Sequence, residues 1–297
     1  MTAARQLVRI GLVGCGRFGA SHARIWGDVA DASLCAVFDP IEDRARAVAA
    51  EIGAVSASSL DDLLAAVDAV DVVTPPSHHA EVVRRCLQAG RHVLAEKPLG
   101  TRASEARDLA TLAEARDQIL MVGYLERFHP GIGAALEALP KPRRIETLRI
   151  NRAPPGDVGI GIVHDLMSHD IELATRWIGT PVAKITANAQ RNAAGFIDEV
   201  AAELRFDDGR VASLIASWRG SMRRREIAAF ADGCRQRIDL LDPSHRVDLL
   251  RNELANFIAA IHGHSAPAVT AVDAARTLSV AQMIVDALHV TEEAQCN

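Results

Sequence analysis

The stretch Leu7-Val-Arg-Ile-Gly-Leu-Val-Gly14-Cys-Gly16-Arg-Phe-Gly19 decides the fold. Its first seven residues are a short, mostly apolar run, the signature of a strand buried on both faces. The glycines follow at once, and helical spacing then runs to about Val29. A Gly-x-Gly-x-x-Gly that leaves a strand and enters a helix is a phosphate-binding turn. Gly14 makes the tight bend, Gly16 lets a pyrophosphate approach the backbone, and Gly19 lets helix and strand pack closely. Asp39 ends the next strand, Leu34–Asp39, 25 residues after Gly14, where a carboxylate accepts hydrogen bonds from an adenosine ribose. It also repels a 2′-phosphate, which favours NAD; Arg44 nearby leaves NADP open.

Outward from that turn, strand and helix alternate. Ile41–Ile52 reads as helix, and Ala54–Ala57 as a short strand. Ser59 caps a helix with Asp62 three residues on. Strands at Ala69–Thr74, His92–Glu96 and Ile119–Val122 are separated by helices near His79–Ala89 and Ser104–Arg116. The pattern predicts right-handed βαβ units and an α/β Rossmann domain with a doubly wound parallel sheet over residues 1–123. From residue 124 the period changes from mixed to two. Ile145, Thr147 and Arg149 alternate with Glu146, Leu148 and Ile150, alternation recurs over 183–188 and 199–206, and a strand at 210–219 is largely apolar on both faces over 211–218. Asp207-Asp-Gly209 makes a hairpin turn, and Arg223–Ala231 forms a further strand. Helices are expected near Gly131–Leu139, Val163–Ile178, Leu249–His262 and Ala271–Val290, with a loop at Ala153-Pro-Pro-Gly156. Residues 124–297 therefore form an α+β domain with a large open, mostly antiparallel sheet.

The bulk properties narrow the function. The 297 residues are 49 % hydrophobic and 24 % charged, the balance of a globular enzyme. A net charge of −5 supplies no whole-chain field for nucleic acid or an anionic membrane. Arg143-Arg144 and Arg223-Arg224-Arg225 read as solvated strand edges. The five cysteines (Cys15, Cys35, Cys86, Cys234, Cys296) form no CxxC pair and are expected as reduced thiols in a cytoplasmic protein. Residues 1–6 lead into a strand without an apolar signal core. No run approaches the ~20 apolar residues of a membrane span. His164, Asp165 and His169, and the pair His78-His79, lack metal-site spacing, and no metal is expected.

Two further groups carry chemistry. Lys97 ends a central strand at the carboxyl edge where ligands of open α/β sheets bind, and its ammonium can stabilise a developing alkoxide. Asp165 and His169 lie at i and i+4 of a helix, sharing a face about 6 Å apart along the axis. A carboxylate there raises the basicity of the imidazole and orients it as a general base.

The ordered series Gly14-x-Gly16-x-x-Gly19, Thr74-Pro75-x-x-x-His79, Glu96-Lys97-Pro98, Gly123-Tyr-Leu-Glu-Arg127-Phe128 and Asp165-x-x-x-His169-Asp170 resembles the glucose–fructose oxidoreductase / inositol dehydrogenase (Gfo/Idh/MocA) family. The resemblance covers nearly the whole chain. It implies Lys97, Asp165 and His169 as the catalytic residues. It places Arg17, Phe18, Thr74, Pro75, His79, Glu96, Lys97 and Arg127 with the glycines and Asp39 at the cofactor. It further implies a cis peptide before Pro98, a substrate cleft between the domains, and a homodimer or homotetramer formed through the C-terminal sheet. The implied reaction passes a hydride from a secondary sugar hydroxyl to the nicotinamide of NAD or NADP. The stretches 123–130 and 163–171 are similar to the subgroup acting at C3 of UDP-N-acetylglucosamine, with the arginines at 152, 219 and 223–225 as candidate diphosphate partners. Dehydrogenation of a free sugar or inositol, transient oxidation in an NAD-dependent glycosidase, and a non-enzymatic dinucleotide sensor are the alternatives. The Lys97/Asp165/His169 set argues against the sensor, which needs no general base.

Overall fold

A computed structural model describes residues 7–153, 161–243 and 248–295, with side chains described through 288. The chain packs as two units: residues 1–125 with 248–275, and residues 126–247 with 276–297.

The first unit is built on a parallel sheet of β1 (Val8–Val13), β2 (Ala32–Phe38), β3 (Val55–Ser56), β4 (Ala69–Val72), β5 (His92–Glu96) and β6 (Leu120–Gly123), in the order β3-β2-β1-β4-β5-β6. That is the doubly wound order, and the strand order reverses beside β1, where the glycine turn leaves the sheet. Helices α1 (Arg17–Trp26), α2 (Glu42–Ile52), α3 (Leu60–Ala66), α4 (Pro76–Gln88) and α5 (Ala103–Ala115) form the crossovers. Ser59 caps α3 by accepting from the Asp62 amide at 3.1 Å, as its spacing predicts. Leu12 and Val37 from the sheet pack with Ala23, Ala45 and Val48 from α1 and α2, all nearly or fully buried. Each buried valine or leucine of this kind stabilises the unit by about 1.5–3 kcal/mol. Leu249–His262, expected in the second domain, forms α8 (Leu249–Ile261), which joins the first unit. Its buried face of Leu250, Leu254, Phe257 and Ile258 packs there, including against α1.

The second unit carries a mixed sheet in the order β12-β11-β7-β10-β9-β8. Its strands are β7 (Arg144–Arg152), β8 (Val182–Arg191), β9 (Ile197–Phe206), β10 (Val211–Ser217), β11 (Arg219–Ala231) and β12 (Cys234–Asp239). All neighbours are antiparallel except β7 and β10. β12 escapes the periodicity because Cys-Arg-Gln-Arg-Ile-Asp is mostly polar. Its signal is the turn instead: Asp232 and Gly233 have φ of 42° and 83°, the paired left-handed backbone that closes a two-residue hairpin. The inner face packs on a π-helical turn (Val163–Met167), α7 (Ser168–Ile178) and α9 (Ala271–Gln295), with α6 (Pro130–Ala138) against β12. A short 3₁₀ turn, Leu125–Phe128, opens the unit. The expected loop at Ala153 continues into residues 154–156, which lie outside the described residues, as do the expectations for residues 1–6 and Cys296.

Candidate active site

The glycine turn is shaped by what a side chain would meet. Gly14 has φ +99°, and a Cβ on it would stand 2.6 Å from the Val73 carbonyl oxygen; one on Gly19 would stand 1.9 Å from the Gly14 oxygen. Around Gly16 there is nothing within 4 Å, so the turn is tight inside and open outside. Gly16 is the N-cap of α1 and has no side chain to satisfy the first amides, and the first turn carries no acid. Those amides and the helix dipole form an anion cradle. The Asp39 carboxylate is almost buried and accepts from the Cys15 and Ile41 amides, each at 2.8 Å, which fixes it at the end of β2. Two carboxylate oxygens offer about four acceptor sites, so capacity remains for a ribose. The Thr74 hydroxyl is buried with no hydrogen-bond partner among the described residues. An open cradle, a fixed carboxylate and an orphaned hydroxyl fit a dinucleotide. Gly19→Ala should cost at least about tenfold in NAD affinity, since a Cβ meeting backbone has no flexible atom to displace; calorimetric titration checks this.

Beside this turn, β5 delivers Glu96 and Lys97, both half-buried, and the Lys97–Pro98 peptide is cis as expected. His79 is fully buried, with Nδ1 2.7 Å from the Pro98 carbonyl and Nε2 2.6 Å from that of Thr74. Both ring nitrogens face main-chain carbonyls of the two turns, and a neutral ring, with one N–H, donates to one of them at a time. Burial pulls its pKa below the ordinary imidazole value despite the two carbonyl acceptors. Arg17 and Phe18 are exposed at the start of α1.

In the second unit, His169 stands on α7 with its side chain 15 % exposed, and its Nδ1 lies 2.7 Å from Oε2 of Glu126. Glu126 comes from the 3₁₀ turn and is buried. Its other oxygen accepts from Arg149 at 2.8 Å, and Arg149 also makes a bidentate pair with Asp170 at 2.9 and 3.0 Å. Arg149 is buried on the inner face of β7. Burial alone would push the Glu126 carboxyl upward, but His169, Arg149 and Arg225 hold it well below the usual range. Burial likewise works against the charge on Arg149, yet Asp170 and Glu126 hold its pKa above the ordinary value. A carboxylate at Nδ1 requires the ring proton there, which leaves Nε2 as the basic nitrogen of the neutral imidazole.

Glu126 and Arg149 are not among the functional residues expected from sequence, where Asp165, at i and i+4 of an α-helix with His169, is expected to orient it. Val163–Met167 instead winds as a π-helix, whose bonds close at i+5, so Asp165 and His169 do not stack as they would on an α-helix. Asp165 is half-buried within that turn. Arg127, expected at the cofactor, forms a buried ion pair with Glu172 on α7. Of the arginines considered for a diphosphate, Arg219 is engaged by Asp198 at 2.7 Å and by the Arg191 carbonyl, and Arg224 by Glu226. Arg152 and Arg223 are exposed. Arg225 lies 3.6 Å from Glu126, and burial, then Arg149, brings its pKa down to about 10.

A doubly wound domain with an open glycine turn and a carboxylate fixed at the end of β2, joined to a unit in which a buried carboxylate orients a histidine, is the setting of a dinucleotide-dependent oxidoreductase. Residues 8–124 match the model of the oxidoreductase family with an NAD-binding Rossmann fold, and residues 140–238 match the Gfo/Idh/MocA C-terminal domain. The chain belongs to the Gfo/Idh/MocA family and is an NAD-binding oxidoreductase. It is similar to UDP-N-acetylglucosamine 3-dehydrogenase of Acidithiobacillus ferrooxidans, 35 % identical over 211 residues that cover 71 % of this chain and 67 % of that one. A crystal structure of that enzyme superposes with a TM-score of 0.90 at 31 % identity, covering 95 % and 98 % of the two chains. Myo-inositol 2-dehydrogenase of Thermotoga maritima is 29 % identical over 306 residues, covering 90 % of this chain and 92 % of that one.

Proposed function

We propose that the protein oxidises the C3 hydroxyl of UDP-N-acetylglucosamine, or of a closely similar nucleotide sugar, to the ketone. The observation that carries the chemistry is the buried Glu126 at Nδ1 of His169, which leaves Nε2 to take the hydroxyl proton. Lys97 stabilises the oxygen as the proton leaves, and Asp165, in the turn before His169, acts with it. Bound NAD supplies the hydride acceptor. Asp39, fixed by two amides, opposes a 2′-phosphate and selects NAD over NADP. The substrate assignment draws on the Acidithiobacillus relative and on Arg225 as a phosphate partner. The similarity to an inositol dehydrogenase over nine-tenths of the chain supports an inositol as the second reading. Absorbance at 340 nm, with NAD and each of UDP-N-acetylglucosamine, glucose and myo-inositol, separates the two. NADH with the nucleotide sugar alone is the expected result, and NADH with myo-inositol alone overturns the substrate assignment. Lys97→Ala should lower turnover about 10²- to 10³-fold while leaving NAD affinity within a few-fold, because its partner is the reacting oxygen.

We also propose that the protein is a homodimer or homotetramer formed through the outer face of its mixed sheet; a monomer mass by light scattering at micromolar concentration would overturn this.

A further inference from the structure

Phe18, His22 and Trp26 fall at i, i+4 and i+8 along α1 and share one face. His22 is fully buried, as is Asp71 in the middle of β4. One oxygen of Asp71 accepts from Trp26 Nε1 at 2.8 Å and lies 2.9 Å from His22 Nδ1. On the far side of the ring, His22 Nε2 faces Oε1 of Glu96 at 3.5 Å, and neither of those two atoms has a hydrogen-bond partner among the described residues. The second Glu96 oxygen accepts from the Lys97 amide at 3.2 Å. Gly123, the partner of Glu96 across β5 and β6, leaves room for that carboxylate: a Cβ there would stand 2.7 Å from Glu96 Oε1. The edge of the Phe18 ring meets the His22 ring at 4.6 Å between centroids.

A buried imidazole between two carboxylates is an unusual thing to maintain for packing alone. The charged groups facing it are Asp71 from β4 and Glu96 from β5, while α1 contributes only Phe18 and Trp26. Burial would strip the ring of its second proton, yet Asp71 and then Glu96 outweigh it and hold the pKa well above the ordinary value. With both nitrogens protonated, one N–H is directed to each carboxylate.

We propose that His22 is a positioning residue: it bridges Asp71 to Glu96, fixes the carboxylate of the Glu96-Lys97-Pro98 turn, and so sets the geometry from which Lys97 acts. Phe18 connects the same bridge to the glycine turn. The role assigned to Lys97 rests on the proposed function, but the bridge itself does not, and two measurements keep them apart. In ¹⁵N-histidine NMR of the full chain, His22 should show both ring nitrogens protonated well above neutral pH, and its signals should shift when NAD is added. A neutral ring there, or signals indifferent to NAD, overturns the bridge whatever Lys97 does.

The second measurement uses two substitutions that each keep one half of the ring's bonding. An asparagine amide replaces Nδ1 and keeps Asp71; a glutamine amide replaces Nε2 and keeps Glu96. His22→Asn should melt near the wild-type temperature yet lose about ten- to a hundredfold in kcat, with KM for NAD nearly unchanged. His22→Gln should recover most of that turnover even if it is the less stable of the two. Activity that follows melting temperature, with Gln no better than Asn, assigns His22 to stability alone and overturns the proposal.

Discussion

Replacing His169 with alanine is expected to lower kcat by about 10²- to 10⁴-fold, the range by which a positioned general base accelerates proton transfer. NAD affinity should stay within a few-fold, because the cradle at Gly16 and the carboxylate of Asp39 belong to the other unit. Glu126→Gln is the more informative partner. The amide of a glutamine can donate to Nδ1, which moves the ring proton to Nε2 and leaves the wrong tautomer for a base. A loss within about tenfold of the His169→Ala value is expected, as other buried carboxylates behind catalytic histidines show when amidated. Steady-state kinetics with saturating NAD check both losses. Near-wild-type turnover in both variants would remove His169 from the chemistry.

The second large effect is on stability. Arg149→Met leaves Asp170 and Glu126 buried without their shared cation, and breaking such a pair from one side costs about 3–5 kcal/mol. The pH dependence gives an independent signature. Glu126 has a folded pKa well below its unfolded value, so its ionisation stabilises the fold above the unfolded carboxyl pKa of about 4.3, and the contribution is lost as pH falls toward the folded value. Without Arg149 that depression shrinks, and the acid-side slope of the stability curve flattens. Thermal melts at neutral and at acid pH check both: a fall of less than about 1 kcal/mol with an unchanged acid slope would mean that Arg149 is dispensable.

The first unit is largely legible in the sequence, because each of its signals is local. The glycine turn, the Ser59 cap and the apolar strands are each set by residues a few positions apart, and βαβ chirality makes the sheet parallel and doubly wound, although the order of its strands is read only from the structure. The second unit is legible in its periodicity, but not in the pairing that matters at His169. Glu126 and His169 are 43 residues apart, and Arg149 lies between them in sequence on a different element. One signal is present: Arg149 shares the inward parity of β7 with Ile145 and Thr147, and a charge on the apolar side of a strand requires buried partners. The π-turn leaves no comparable trace, and it undermines the α-helical stacking of Asp165 on His169. Likewise the return of α8 to the first unit depends on which apolar face it meets, which its own periodicity does not specify.

The most direct measurement follows the hydrogen itself. UDP-N-acetylglucosamine carrying deuterium at C3 is incubated with the protein and NAD, and the reduced cofactor is weighed by mass spectrometry. The proposed reaction predicts NADH one mass unit heavier than with unlabelled sugar, together with a slower rate. Unlabelled NADH would place the oxidation at another carbon, and the absence of reduced cofactor would contradict the substrate assignment.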